Sequence, residues 1–292
     1  FIRIGSNATS SSDTGGVLAT IGAALTIVGT TDSETVELDD TGDSLNASGT
    51  LTASALTGFG MAGSIQYTGI ANLEINLGNG QDSFNIQGTA AATSTQVTLG
   101  TGASTVTVGG AGGTVQAVAG LLQVQGDNSN DTLMLDDTAA TGATTGILTA
   151  NRLTGLGMGS ADPTVVNDAA GILYNGFSNL GMMLGSGADI FTVEGTANGT
   201  TTVLATGGGA DSVTVGTDLS QLDGSLFVAE GGNSTDSLLV QSDHASDLTL
   251  SAQGSVGKIT GTGINGQILY GGVGALTITQ NSTNDKLEIQ GT

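Results

Sequence analysis

The stretch LEINLGNGQDSFNIQGT (residues 73–89) recurs as LGMMLGSGADIFTVEGT (180–196) and again as LTITQNSTNDKLEIQGT (276–292), aligned without gaps. Each copy alternates apolar and polar residues, breaks at a Gly- or Asn-rich turn, passes an acid, and alternates again. Phe84-Asn85-Ile86 and Phe191-Thr192-Val193 show the second run. Alternation with period two is the mark of a strand with one buried face. The runs are short, and the residues between them (Gly, Asn, Asp, Ser, Thr) are those that favour turns. No stretch carries a 3.6-residue period with helix caps.

Further repeats surround this one. TDSETVELDD (31–40) returns as NSNDTLMLDD (128–137), and LTASALTGFGM (51–61) returns as LTANRLTGLGM (148–158), both displaced by 97 residues (148 − 51). IQYTGI (65–70), ILYNGF (172–177) and ILYGGV (268–273) are spaced by 107 (172 − 65) and then 96 residues (268 − 172). The longer spacing reflects an insertion within GSADPTVVNDAAG (159–171), which holds the only proline, Pro163. Three long repeats of about 100 residues result, approximately 1–104, 105–211 and 212–292. Within them a shorter unit begins near Leu25, Leu51, Leu73, Val97, Leu121, Leu148, Leu180, Val203, Leu226, Leu248 and Leu276, a mean spacing of about 25 residues ((276 − 25)/10).

Short strands at this period predict an all-β chain, a parallel β-helix (β-solenoid) of roughly 11–12 coils of about 25 residues. It would run through 1–292 as a single continuous segment. One coil cannot bury its apolar face alone, and stacking builds the core. About twelve coils at about 4.8 Å give a rod on the order of 60 Å long. An array of three β-sandwiches is the rival. It does not account for one motif recurring every 25 residues or so, nor for an aromatic content of 3%. Residues 1–5, FIRIG, resemble TVTVG at 105–109, so the chain is expected to open inside a coil. It closes midway through a long repeat, as a piece of a longer array would.

Composition narrows the function. The 292 residues include 50 Gly, 26 acids and 4 bases (Arg3, Arg152, Lys258, Lys286), for a net charge of −22. Such a surface repels phosphates, which argues against nucleic-acid partners. No apolar run is long enough to span a membrane as a helix. One His and no Cys leave few nucleophiles or bases. Disorder is disfavoured by the patterned Val, Ile and Leu.

The recurrent chemistry is an acid following a glycine turn, as in Gly78-Asn79-Gly80-Gln81-Asp82, Gly185-Ser186-Gly187-Ala188-Asp189 and Gly207-Gly208-Gly209-Ala210-Asp211. Asp131, Asp236 and Asp285 are variants, and Glu34 holds the same place. Stacking predicts one column of Asp189, Asp211 and Asp236, and a second of Asp82, Ser104 and Asp131. Two readings stay open. A calcium ion could bridge stacked carboxylates, with carbonyls as further oxygen ligands. Alternatively, glycine serves the turn and the aspartate accepts from backbone N–H groups.

Through these G-x-G-x-D turns the chain resembles the RTX, or haemolysin-type, calcium-binding repeats. It is still more similar to giant bacterial surface proteins built from tandem GNGxDxFxVxGT solenoid repeats. The resemblance implies a secreted or surface-exposed structural or adhesive protein, with Asp82, Asp131, Asp189, Asp211, Asp236 and Asp285 as possible calcium ligands.

The Asp39-Asp40 and Asp136-Asp137 pairs suit a paired-carboxylate hydrolase. However, neighbours on a strand point to opposite faces, and solvated strand ends are expected. Tyr67, Tyr174 and Tyr270 fall once per long repeat, as a packing position or a lateral contact. His244 is expected in a solvated loop. The function expected is a non-enzymatic extracellular fibre, filament or adhesin stalk on a bacterial surface that self-associates or continues in a longer chain, with divalent cations as partners. A calcium-dependent secreted module is the alternative, ahead of a carbohydrate-active β-helix.

Overall fold

Alternation translates directly into strands. The computed structural model describes residues 1–9, 14–30, 33–109, 112–159, 171–231, 235–244, 246–283 and 285–291, so most of the insertion, including Pro163, lies outside the described residues. The chain forms two compact units, each built from two stretches: Phe1–Leu135 with Gly157–Ser178, and Asp136–Leu156 with Asn179–Thr292.

In the first unit one sheet runs in the order β1 (Ile2–Ile4), β3 (Thr35–Asp39), β7 (Asn72–Asn76), β9 (Ser94–Thr98), β11 (Leu122–Gln125) and β15 (Ile172–Asn175). Its second sheet runs β2 (Leu25–Val28), β6 (Ile65–Thr68), β5 (Ala55–Gly58), β4 (Ser48–Leu51), β8 (Ser83–Ile86), β10 (Thr105–Val108) and β12 (Thr132–Asp136). Successive strands alternate between the sheets, and neighbours stack in parallel. Asn72 pairs with Ser94, a coil of 22 residues (94 − 72), and Thr105 pairs with Thr132, a coil of 27 (132 − 105).

The second unit repeats the plan. One sheet runs β14 (Arg152–Gly155), β13 (Thr145–Leu148), β17 (Ile190–Val193), β19 (Ser212–Val215), β21 (Ser237–Ser242) and β25 (Ala275–Gln280). The other runs β16 (Asn179–Met183), β18 (Thr201–Ala205), β20 (Ser225–Ala229), β24 (Gln267–Gly271), β23 (Val256–Gly261), β22 (Asp247–Gln253) and β26 (Lys286–Ile289). The shortest parallel coils here are 22 to 25 residues long (212 − 190 and 237 − 212), and those that enclose antiparallel strands are longer, as from Ser225 to Gln267 (267 − 225 = 42). The architecture is therefore the expected all-β, β-helix-like one. Inward residues such as Val36, Leu38, Leu73, Ile75, Val213 and Val215 are fully buried.

Antiparallel stretches interrupt the expected parallel coils in both units. The LTASALTGFGM segment does not form a further parallel coil. It forms an antiparallel meander, β4–β5–β6, inserted between β8 and β2. A threonine turn reverses the chain: Thr52 Oγ1 accepts from the amide N–H groups of Ser54 and Ala55. At the next reversal Gly58 and Phe59 both adopt left-handed backbone, at φ +92° and +49°. Phe59 N–H donates to Ser48 O at 2.7 Å, and the ring turns into the core. The same device recurs in the second unit at Gly155-Leu156, where Leu156 N–H donates to Thr145 O, while at a further reversal Thr262 N–H donates to Asp247 O without left-handed backbone at Gly261 or Thr262.

Candidate functional site: acids at the coil turns

The expected columns form. In the second unit Thr144 N–H donates to Asp189 Oδ1 at 2.7 Å, Asp189 N–H to Asp211 Oδ1 at 2.9 Å, and Asp211 N–H to Asp236 Oδ1 at 3.1 Å. In the first unit Ala47 N–H donates to Asp82 Oδ1, Asp82 N–H to Ser104 Oγ, and Ser104 N–H to Asp131 Oδ1. Asp285 repeats the pattern, accepting from Ser246 N–H. Every link joins one coil to the next, so each carboxylate staples the entry of its own strand to the turn before it.

The turn glycines make this possible by allowing backbone to approach backbone. A Cβ on Gly207 would lie 2.1 Å from Gly185 O, and one on Gly209 2.1 Å from Gly187 O, with φ at +80° and +124°. Asp82, Asp131, Asp189, Asp211 and Asp236 are all buried, whereas Asp285 is half-buried. Burial raises the pKa of Asp82, Asp131 and Asp211 above the ordinary carboxylate range, and the N–H donors lower it only in part.

The Oδ1 of each of these six aspartates is engaged by a backbone donor. Among the described residues no group of three His, Asp or Glu side chains is placed to hold a metal ion.

The Asp39-Asp40 pair corrects an expectation. Both residues are buried, not solvated. Asp39 Oδ2 accepts from Gly16 N–H at 2.6 Å, and Asp40 Oδ1 from Leu18 N–H at 2.7 Å. They pin the 16–18 segment over the end of β3. Asp40 Oδ2 has no hydrogen-bond partner. Burial, reinforced by Asp43, Asp82 and Asp39, pushes its pKa from 3.8 up to about 6. Asp40→Asn keeps an acceptor for Leu18 and removes the charge. It is expected to stabilise the fold at pH 7 by on the order of 1–2 kcal/mol and to leave it unchanged at pH 4. Thermal melts at the two pH values check this.

Tyr67 and Tyr174 are buried, and Tyr67 Oη donates to Thr52 O at 2.5 Å, which makes this a packing position in the meander turn. The His244 side chain is 73% exposed, 3.8 Å from Asp218 Oδ1.

Sequence reasoning passed over Glu230, which is 8% exposed with neither carboxylate oxygen hydrogen-bonded. The signal was present. Leu226, Val228 and Glu230 share one parity of the strand and hence one face.

No protein-family model matches the chain, and no curated protein matches its sequence.

Proposed function

We propose that the chain is a non-enzymatic structural segment of an extracellular fibre or surface stalk, and that it works by strand-on-strand stacking. The observation that carries this reading is the set of open sheet margins. β1 and β2 end the two sheets of the first unit, and β25 and β26 end those of the second. Large apolar side chains stand exposed there: Phe1 at 66%, Val28 at 64% and Ile289 at 61%. A margin with unpaired N–H and C=O groups is a template for another strand. Natural β-proteins usually blunt such margins, and here β26 carries Lys286 and Glu288, whereas β2 and β25 carry no charged residue. Arg3 on β1 is itself turned onto Glu37 of β3 and the Phe1 ring.

The interior already shows how a further layer would add, in parallel and in register. A second copy, or more of the same protein, supplies it. The acidic surface keeps the sides of such fibres apart, and a chain without cysteine has no thiol to mispair outside the cell.

Static light scattering over a range of concentrations tests this. The wild-type chain is expected to form end-to-end oligomers. A Val28→Lys, Ile289→Lys double variant is expected to lose them while keeping its melting temperature within a few degrees, because surface changes rarely exceed about 0.5 kcal/mol. A wild-type chain that stays monomeric throughout would overturn the reading.

A further inference from the structure

We propose that Glu230 is a proton-operated latch: its carboxyl group sits neutral inside the second unit, and its ionisation loosens the neighbouring link between Asp211 and Asp236.

The position is an interior column. Leu184 follows β16, Thr206 follows β18 and Glu230 follows β20, each in the place just past its strand. Leu184 N–H donates to Ala205 O, Thr206 N–H to Ala229 O and Glu230 N–H to Gly271 O, so the three stack coil upon coil. Two of the three side chains are what a thin core takes, a leucine and a threonine. The third is a carboxyl with both oxygens buried and neither hydrogen-bonded. An ionised carboxylate cannot persist there unpaired, because taking it out of water without a partner costs several kcal/mol.

Among the described residues around it no compensating charge is found. Thr206 and Gly207 on one side and Gly271 and Gly272 on the other carry nothing that ionises near neutrality. The charged groups that face Glu230 are Asp236 and Asp211, both of its own sign. Asp211 is likewise buried, with the Thr206 hydroxyl beside its carboxylate. A proton on Glu230 is the smallest cation that relieves the cluster.

Burial first, then Asp236 and Asp211, pushes the Glu230 pKa from 4.5 up to about 7. Between those values the folded chain binds a proton that the unfolded chain has released, so stability falls as pH rises and levels off above about 7. The latch is closed in mildly acidic surroundings and strained in alkaline ones. Its release acts on the link between Asp211 N–H and Asp236 Oδ1, which joins β19 to β21.

Two measurements on the full chain test the latch. Carbon-13 NMR of the side-chain carboxyl groups should show one Glu titrating near 7, a signal absent from Glu230→Gln. In urea unfolding, the wild type should have a lower midpoint at pH 8.5 than at pH 5.5. Glu230→Gln should match it at pH 5.5 and exceed it at pH 8.5. Glu230→Met, an apolar side chain like the leucine of the same column, should behave like Glu230→Gln and guards against an amide-specific effect. A Glu230 titration in the ordinary range overturns the proposal, as does an alkaline loss that survives both substitutions. If millimolar calcium or magnesium restores the wild-type midpoint at pH 8.5 but leaves the variants unmoved, the site takes a metal cation and the proton latch is wrong.

Discussion

Gly49→Ala is expected to destabilise the first unit by about 3 kcal/mol, the upper end of what overpacking costs. The added Cβ would lie 1.9 Å from Phe59 Cε2 and 2.4 Å from its Cζ. Real carbons do not approach so closely, so the ring or the strand must move. The ring has nowhere to go. Phe59 is fully buried and meets Phe84 edge to face, with centroids 5.2 Å apart. Its backbone is held left-handed between two glycines and tied to Ser48 O, so the side chain cannot swing out without undoing the meander corner. Shifting β4 instead would strain its register with β8, where Gly49 faces Phe84 directly.

The second unit suggests the rescue. At the equivalent corner Leu156 stands where Phe59 does, and a Cβ on Gly146 would meet the Phe191 ring at 2.5 Å and Leu156 only at 3.0 Å. Gly49→Ala combined with Phe59→Leu should therefore recover at least about 1 kcal/mol of the loss, a coupling of the size seen for residues in contact. Urea unfolding of the wild type, both single variants and the double variant measures it. A Gly49→Ala chain within about 0.5 kcal/mol of wild type, the range of an ordinary surface change, would mean that the corner is looser than its geometry implies.

The same corner marks where sequence reading stopped. Strands such as Thr105–Val108 and Ser212–Val215 were legible because nothing but a half-buried strand alternates Val with Thr or Ser between glycine turns. The coil period was legible because the simplest parallel neighbours space equivalent residues by 22 to 27 positions. LTASALTGFGM alternates just as well and so reads as one more coil. Its reversal depends on one hydroxyl, Thr52 Oγ1, and on a phenylalanine in a conformation that phenylalanine rarely adopts.

The acids divide similarly. The glycine turns placed the aspartate columns correctly, because stacking turns in register needs only the period. The burial of Asp39 and Asp40 escaped notice because charged residues are assigned to solvent by default. Yet Val36, Leu38 and Asp40 share one strand parity, as Leu226, Val228 and Glu230 do. At both places the strand's own alternation carries a carboxyl into the core.

Removing one link of the aspartate column should be the other costly change. Asp211→Ala leaves the Asp189 N–H, which donates to Asp211 Oδ1 at 2.9 Å, buried without an acceptor. An orphaned buried donor costs about 1–3 kcal/mol. The loss of Asp211 also spares Glu230 and Asp236 a like charge, so the net cost should be about 2 kcal/mol at pH 7, rising toward the upper figure at pH 5, where that repulsion has already been relieved. Asp211→Asn keeps an oxygen where the N–H points and drops the charge. It should therefore be at least as stable as the wild type at pH 7, since one acceptor replaces another and the same repulsion is relieved.

This pair of variants separates the two roles a turn aspartate can have. A staple needs only an acceptor, so alanine is costly and asparagine is not, with or without calcium. A calcium ligand needs the negative charge, so asparagine would be as damaging as alanine whenever the ion is present, and a chelator would bring the wild type down to their level. The urea midpoints of all three chains, in millimolar calcium and again in chelator, decide between them. With the Oδ1 of Asp189, Asp211 and Asp236 each engaged by a neighbouring coil's N–H, the expected outcome is the staple: a wild-type midpoint indifferent to calcium and a column held together by hydrogen bonds from coil to coil.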